Sequence, residues 1–211
     1  MPRSARTAPL TPGEDGTTVT DVVVVGSGMG GLAVATQLHR KGVPVIVLDG
    51  LDGHDGQLRT QLRHVTTEQL ERISVSDPAS HGERREILRQ LHGYTKSHRV
   101  DVRRGVVADS LDRAGAPGAD SPLRRWALHT PGGVILCDSL VITGTVGHHR
   151  ALRFLREVGQ ETTENVSAAL RRVGIYLVCV GQQVSAGHRE VLHQARLVGN
   201  TIAGAGLRLP A

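Results

Sequence analysis

Residues 21–50 read DVVVVGSGMGGLAVATQLHRKGVPVIVLDG, and this stretch decides the fold. Val22 to Val25 form an apolar run of strand length, suited to burial on both faces of a parallel sheet. Gly26, Gly28 and Gly31 follow at G-x-G-x-x-G spacing. The first glycine permits a tight turn, the second lets backbone approach a pyrophosphate, and the third brings helix against strand. Phosphates would rest on the N–H groups that open the helix, where the macrodipole is positive. The pattern predicts a helix from about Met29 to Lys41, with Leu32, Ala35, Thr36 and Leu38 near one face and Gly42 with Pro44 at its end. Val43 to Leu48 make the next strand, and Asp49 falls 18 residues beyond Gly31. A carboxylate there accepts hydrogen bonds from the ribose hydroxyls of an adenosine, and its charge disfavours a 2′-phosphate. Strand, glycine turn, helix, strand and acid in this register make half of a dinucleotide site.

Further along come Gly56-Gln57-Leu58-Arg59, then HGERREILRQLHGYTKSHRVDVRRGVV, then RRWALHTPGGVILCDSLVITGT, then GIYLVCVGQQVSAGHREVLHQARLVGNTIAG. In this order they resemble the FAD domain of the two-dinucleotide-binding flavoproteins, the flavin-containing monooxygenases and thioredoxin-reductase-like enzymes. The resemblance implies an α/β, Rossmann-like FAD-binding fold with a parallel central sheet and a small antiparallel β-hairpin element, and it implies FAD as cofactor. It places Gln57, Leu58 and Arg59 in a flavin-contacting loop, with Asp55 where the family has its first Gly and no Trp present. Arg59 would set a guanidinium beside the diphosphate, where bidentate hydrogen bonds are available. Val106 or Val107 would bring adenine-binding backbone. Ile142, Thr143, Gly144 and Thr145 stand where the family has an Ala-Thr-Gly turn, and Gly181 with Gln182 at the turn facing the ribityl chain, Gln182 replacing an Asp often seen there. The expected cofactor-binding set is completed by Gly26, Ser27, Gly28, Met29, Gly30, Gly31, Asp49 and Gly50.

In the family a second nucleotide domain, for NADPH, is inserted between the Ala-Thr-Gly turn and the closing strand. Here only His148 to Gly174 separate the two, and ALRFLREVGQETTENVSAALRRV reads as one or two short helices. A second domain needs roughly 100 residues or more. Neither Gly144 to Gly147 nor Gly204 to Gly206 completes another fingerprint. The expectation is therefore a disordered leader over 1–20, rich in Pro, Gly, Thr and charge, and one FAD-binding domain over 21–211 with a short helical connection at about 148–174. Ala114 to Pro122 should be a surface loop, and Pro131-Gly132-Gly133 the turn of a hairpin.

The formal charge of +5 and pI near 10.0 come from arginine, since Lys41 and Lys96 are the only lysines. Basic residues are scattered along the chain, and Tyr94, Trp126, Phe154 and Tyr176 offer no stacking platform, so nucleic acid is not an expected partner. Cys137 and Cys179 lie in apolar strand patterns and no Cys-x-x-Cys exists, which removes the dithiol of a disulfide reductase and leaves two buried structural thiols. No apolar run reaches the roughly 18–20 residues of a membrane span and no hydrophobic signal core opens the chain, so a cytoplasmic protein with no membrane partner is expected.

The histidines show no metal-ligand spacing, and no metal site is expected. His148 and His149 follow the Thr-Gly-Thr-Val-Gly turn, where one could donate a proton near a substrate, and His54 and His64 flank the Gly-Gln-Leu-Arg loop, where either could line a substrate pocket; solvated loop positions are the favoured reading for all four. His188 and His193 lie on the last helix; His188 near its start could face the flavin edge, and a satisfied surface histidine is the favoured reading. Ile87, Leu88, Leu91 and Tyr94 make a core stripe on a helix from His81 to Ser97, and Val191, Leu192, Ala195, Val198 and Ile202 make one on the final helix that is either core, the favoured reading, or half of a dimer seam.

The leading expectation is a reduced-size FAD-dependent oxidoreductase acting on a small organic substrate. Either the substrate reduces the flavin, as in an oxidase or dehydrogenase, or a separate reductase brings electrons to a monooxygenase-like component. Small stand-alone members of such families point by analogy to specialised metabolism. The alternative is a non-redox or accessory subunit that keeps the fold and binds FAD or NAD without turnover. A plain single-Rossmann NAD dehydrogenase fits the first 50 residues but fits the hairpin and final strand-helix poorly. Catalytic residues stay unassigned, and a homodimer would cover surface exposed by the missing domain.

Overall fold

The computed structural model describes residues 16–51, 78–114, 124–143, 166–178 and 187–206. In chain order the elements are β1 (Thr17–Val19), β2 (Val22–Val25), α1 (Met29–Arg40), β3 (Val45–Leu51), α2 (Pro78–Ser97), β4 (Asp101–Ala108), β5 (Ser110–Arg113), β6 (Trp126–Thr130), β7 (Gly133–Cys137), β8 (Ser139–Thr143), α3 (Val166–Arg172), β9 (Ile175–Val178) and α4 (His188–Gly206).

The four valines of β2 are all buried, and β2 is the middle strand of a five-stranded parallel sheet ordered β4-β3-β2-β8-β9. Val22 to Val25 pair with Val45 to Leu48 on one side and with Ser139 to Ile142 on the other. Because successive side chains point to opposite faces, the same strands feed two cores. Val23, Val25, Ile46, Leu48, Leu140 and Ile142 face a second sheet, where they meet Leu111, Trp126, Leu128, Ile135 and Cys137. Val22, Val24, Val45, Val47 and Val141 face the helices, where they meet Ala33, Val34, Leu38, Ala195, Val198 and Ile202. At about 1.5–3 kcal/mol per large apolar side chain buried, these two clusters dominate folding. The result is a layered α/β structure of sheet, parallel sheet and helices.

Four sequence expectations change here. The small antiparallel hairpin proves to be a four-stranded sheet ordered β1-β7-β6-β5, in which β5, β6 and β7 form an antiparallel meander and β1 adds in parallel to β7. The expected leader over 1–20 therefore ends too late: Thr17–Val19 is a strand, and Thr18 and Thr20 are buried. The second strand of the dinucleotide unit runs Val45–Leu51 rather than from Val43, because the Val43 N–H still bonds Leu38 O in the turn that ends α1. The helix expected at His81 begins at Pro78.

The indole of Trp126 fills the space between meander and α3, and its Nε1 donates to Val173 O at 2.9 Å, so the one polar atom of that buried ring is satisfied. On the helix face Leu91 packs against the core as the α2 stripe predicts, while Tyr94 turns its hydroxyl to His39 Nδ1 at 3.2 Å. Val198 and Ile202 are buried on α4, which makes its apolar stripe core. Helix α3 falls within the stretch 148–174, of which 148–165 lie outside the described residues.

Candidate dinucleotide site

The site is built at the carboxyl edge of the parallel sheet. From β2 the chain moves to β3 and β4 on one side, and later to β8 and β9 on the other, so the strand order reverses between β2 and β8. Ligands of open α/β sheets bind in the crevice at such a switch point. Gly26 leaves β2 with φ of 114°, a left-handed value open to glycine, and its N–H bonds Leu48 O at 2.9 Å. The chain turns at once into α1.

Gly31 is fixed by contact: a Cβ there would lie 1.8 Å from Gly26 O, so helix and strand end meet closer than any side chain permits. Gly28 is the N-cap of α1, in extended conformation, with no side-chain capping bond and no acid in the first turn. The first intrahelical bond runs from Leu32 N–H to Gly28 O at 3.0 Å. Helix geometry then leaves the N–H groups of Met29, Gly30 and Gly31 facing outward. That arrangement suits a diphosphate: donors without a partner inside the helix, a positive dipole end and no competing carboxylate on the helix itself. A Cβ on Gly30 would meet Val191 Cγ1 at 3.4 Å, Val178 Cγ1 at 3.6 Å and Thr143 Cβ at 3.9 Å. The first turn of α1 thus packs on the ends of β8 and β9 and on the start of α4. Ser27 lies in the same turn, between Gly26 and the cap.

Asp49 lies within β3 opposite an irregularity of β4. Leu48 pairs with Arg103, yet Gly50 pairs with Val107, so β4 carries extra residues across from Asp49. Gly105, with φ of 73°, forms the bulge, and its N–H donates to Asp49 Oδ2. Among the described residues no partner is seen for its other oxygen. Val107 pairs through Gly50, and Val106 packs on the inter-sheet core. Thr143 ends β8 buried, its hydroxyl donating to Val25 O at 3.2 Å, which ties the two strand ends flanking the crevice. The residues present therefore fit the ADP half of FAD. Gln57, Leu58, Arg59, Gly144, Gly181 and Gln182 lie outside the described residues, as do His54, His64, His148, His149 and Cys179.

Other chemistry is narrowed by burial. Cys137 is fully buried; burial first, and Asp138 second, push its thiol up to about 12, which leaves no thiolate nucleophile at neutral pH. Arg124 bridges Asp21 at 2.8 Å and also Asp138, tying the entrances to β2 and β8 at the sheet edge remote from the glycine turn. Among the described residues no group of three or more His, Cys, Asp or Glu could hold a metal ion, and no helix is long and apolar enough to cross a membrane.

Sequence reading missed one feature. His188 opens α4 with a side chain only 13% exposed, and its Nε2 lies 3.2 Å from Glu83 Oε2 on α2. The sequence favours a surface histidine over one at the flavin edge, and says nothing of Glu83. The signal could not be read from the sequence because the partner comes from a distant helix.

Fold and crevice together are those of a Rossmann-like α/β domain of the dinucleotide-binding type. Residues 21–62 match the family model described as FAD binding domain. THI4 of Thermovibrio ammonificans has a similar fold, with a TM-score of 0.56 at 17% identity over 90% of this chain and 91% of that one. Thioredoxin reductase of T. acidophilum overlaps less, with a TM-score of 0.35 at 20% identity over 59% of this chain and 35% of that one. The amino acid oxidase NikD gives 0.41 at 18% identity over 68% and 55%. No curated protein matches the sequence.

Proposed function

We propose that the protein is an FAD-dependent oxidoreductase acting on a small organic substrate, with electrons supplied by that substrate or by a separate reductase. The observation that carries this reading is the first turn of α1, whose uncapped donors open at the switch point beside Asp49. Met29, Gly30 and Gly31 would hold the diphosphate through their N–H groups, and Asp49 the adenosine ribose. FAD, when bound, supplies a two-electron acceptor that no side chain provides. The chain's own part is to fix the dinucleotide: Gly31 sets the helix against the strand, Thr143 holds the crevice rim, and Val106 and Val107 present backbone along β4.

The test is spectral and thermal. Purified protein, or protein incubated with FAD, should show a flavin spectrum and an increased melting temperature, because a ligand that prefers the native state stabilises it. A colourless protein whose melting point FAD leaves unmoved would overturn the assignment. A shift with NAD but none with FAD would replace it by a non-redox dinucleotide-binding module.

A further inference from the structure

Helices α1, α2 and α4 lie on one face of the parallel sheet and run in the same direction. Gly30 meets Val191 near the starts of α1 and α4, and Gly199 meets Gln37 further along both. His39 and Tyr94 meet near the ends of α1 and α2. All three helices thus begin at the edge where the glycine turn opens. Strand order puts α2, which leads into β4, on one flank of α1, and α4, which follows β9, on the other. A side chain of α4's first turn that reaches α2's first turns must pass in front of the start of α1. His188 and Glu83 make that reach, at 3.2 Å.

His188 stands three residues before Val191, and residues so spaced share a helix face. Val191 touches the Gly30 position. One turn, about 5 Å, therefore carries His188 past Gly30 to the space before the outward N–H groups. Among the described residues its Nε2 has no solvent contact and no hydrogen bond of proper direction; the Glu83 carboxylate approaches it at ion-pair distance but off the bonding line. Glu83 is half-exposed, 52%, so its repulsion of a phosphate is screened by water.

We propose that His188, held across the start of α1 by Glu83, is a further diphosphate contact of the dinucleotide site, adding an imidazole N–H to the backbone donors of Met29, Gly30 and Gly31. This rests on the dinucleotide reading above and deepens it. Glu83 acts through His188 and is a positioning residue.

The experiment compares ADP with adenosine by calorimetry on the full chain, since their difference isolates the diphosphate. His188→Ala and His188→Gln should each weaken ADP about tenfold, the loss of one charge-assisted bond, with adenosine binding unchanged. Glu83→Gln should weaken ADP about threefold and likewise spare adenosine. The His188→Gln side chain fills similar space, so melting curves distinguish lost contact from lost fold. ADP binding that is indifferent to all three substitutions, or tightened by Glu83→Gln, overturns the assignment of His188 while leaving the site intact. Wild-type protein and variants that all ignore ADP overturn the site itself.

Discussion

The carboxylate of Asp49 accepts a hydrogen bond from the backbone N–H of Gly105, so the acid expected to meet a ribose also pins the bulge of the neighbouring strand. One side chain thereby couples the ribose position to the backbone at Val106 and Val107. Asp49→Ala should destabilise the fold by about 1 kcal/mol, since the exposed Gly105 N–H regains water as a partner. That corresponds to roughly 2–4 °C in Tm for a chain of this size. Asp49→Asn retains an acceptor for Gly105 and should leave Tm nearly unmoved while still weakening FAD. Equal melting points for wild type and the Ala variant would show that the bond does not hold the bulge.

Two adjacent glycines should part company. Gly31→Ala forces a Cβ onto Gly26 O, a backbone atom that cannot swing aside, and should cost at least about 3 kcal/mol, lowering Tm by about 10 °C. Gly30→Ala meets only ordinary contacts at 3.4 Å and beyond, and gains helix propensity of up to about 1 kcal/mol. Thermal unfolding of both variants decides the point, and a well-folded Gly31→Ala protein would contradict the close approach of α1 to β2.

Cys137 should be inert in the native state. Its burial and raised pKa predict no reaction with a thiol reagent at pH 8 in a Cys179→Ser background, followed by full reaction on denaturation. Rapid labelling under native conditions would mean that the space between the sheets opens readily.

The ends of α1 and α2 should respond to acid. His39 bonds Tyr94, faces the His98 ring at a centroid distance of 5.7 Å, and has Arg40 nearby over the Tyr94 ring. Burial first, and the positive charge of His98 second, lower its pKa below the usual 6.5. A base with a depressed folded pKa is less protonated folded than unfolded, so its contribution to stability is complete above about pH 6.5 and declines as pH falls below that value. Tm measured from pH 7.5 to 5.5 should drop less steeply in His39→Gln than in wild type. Parallel curves would remove His39 from the account.

Much of this was legible because it is local. Four valines, three glycines at fixed spacing and an acid beyond the second strand specify β2, α1 and β3 with errors of only a few residues at the ends. The stripes on α2 and α4 gave their buried faces for the same reason. What escaped depends on partners far away in sequence. Thr17 to Val19 has little strand signature of its own and becomes a strand through pairing with Val134 to Leu136. The second bond of Asp49 needs the bulge at Gly105, and the burial of His188 needs Glu83. No periodicity announces any of the three.

The parallel pairing of β1 with β7 also sets an order of assembly during synthesis. Thr17 leaves the ribosome about 120 residues ahead of Val134, an interval of some 6–24 s at ordinary translation speeds. Throughout that time the β1 segment has no strand to join, and β2 lacks its neighbour β8. The nascent chain must hold its most apolar strand half-paired until the meander emerges, which makes the speed of elongation across residues 50–130 a determinant of yield.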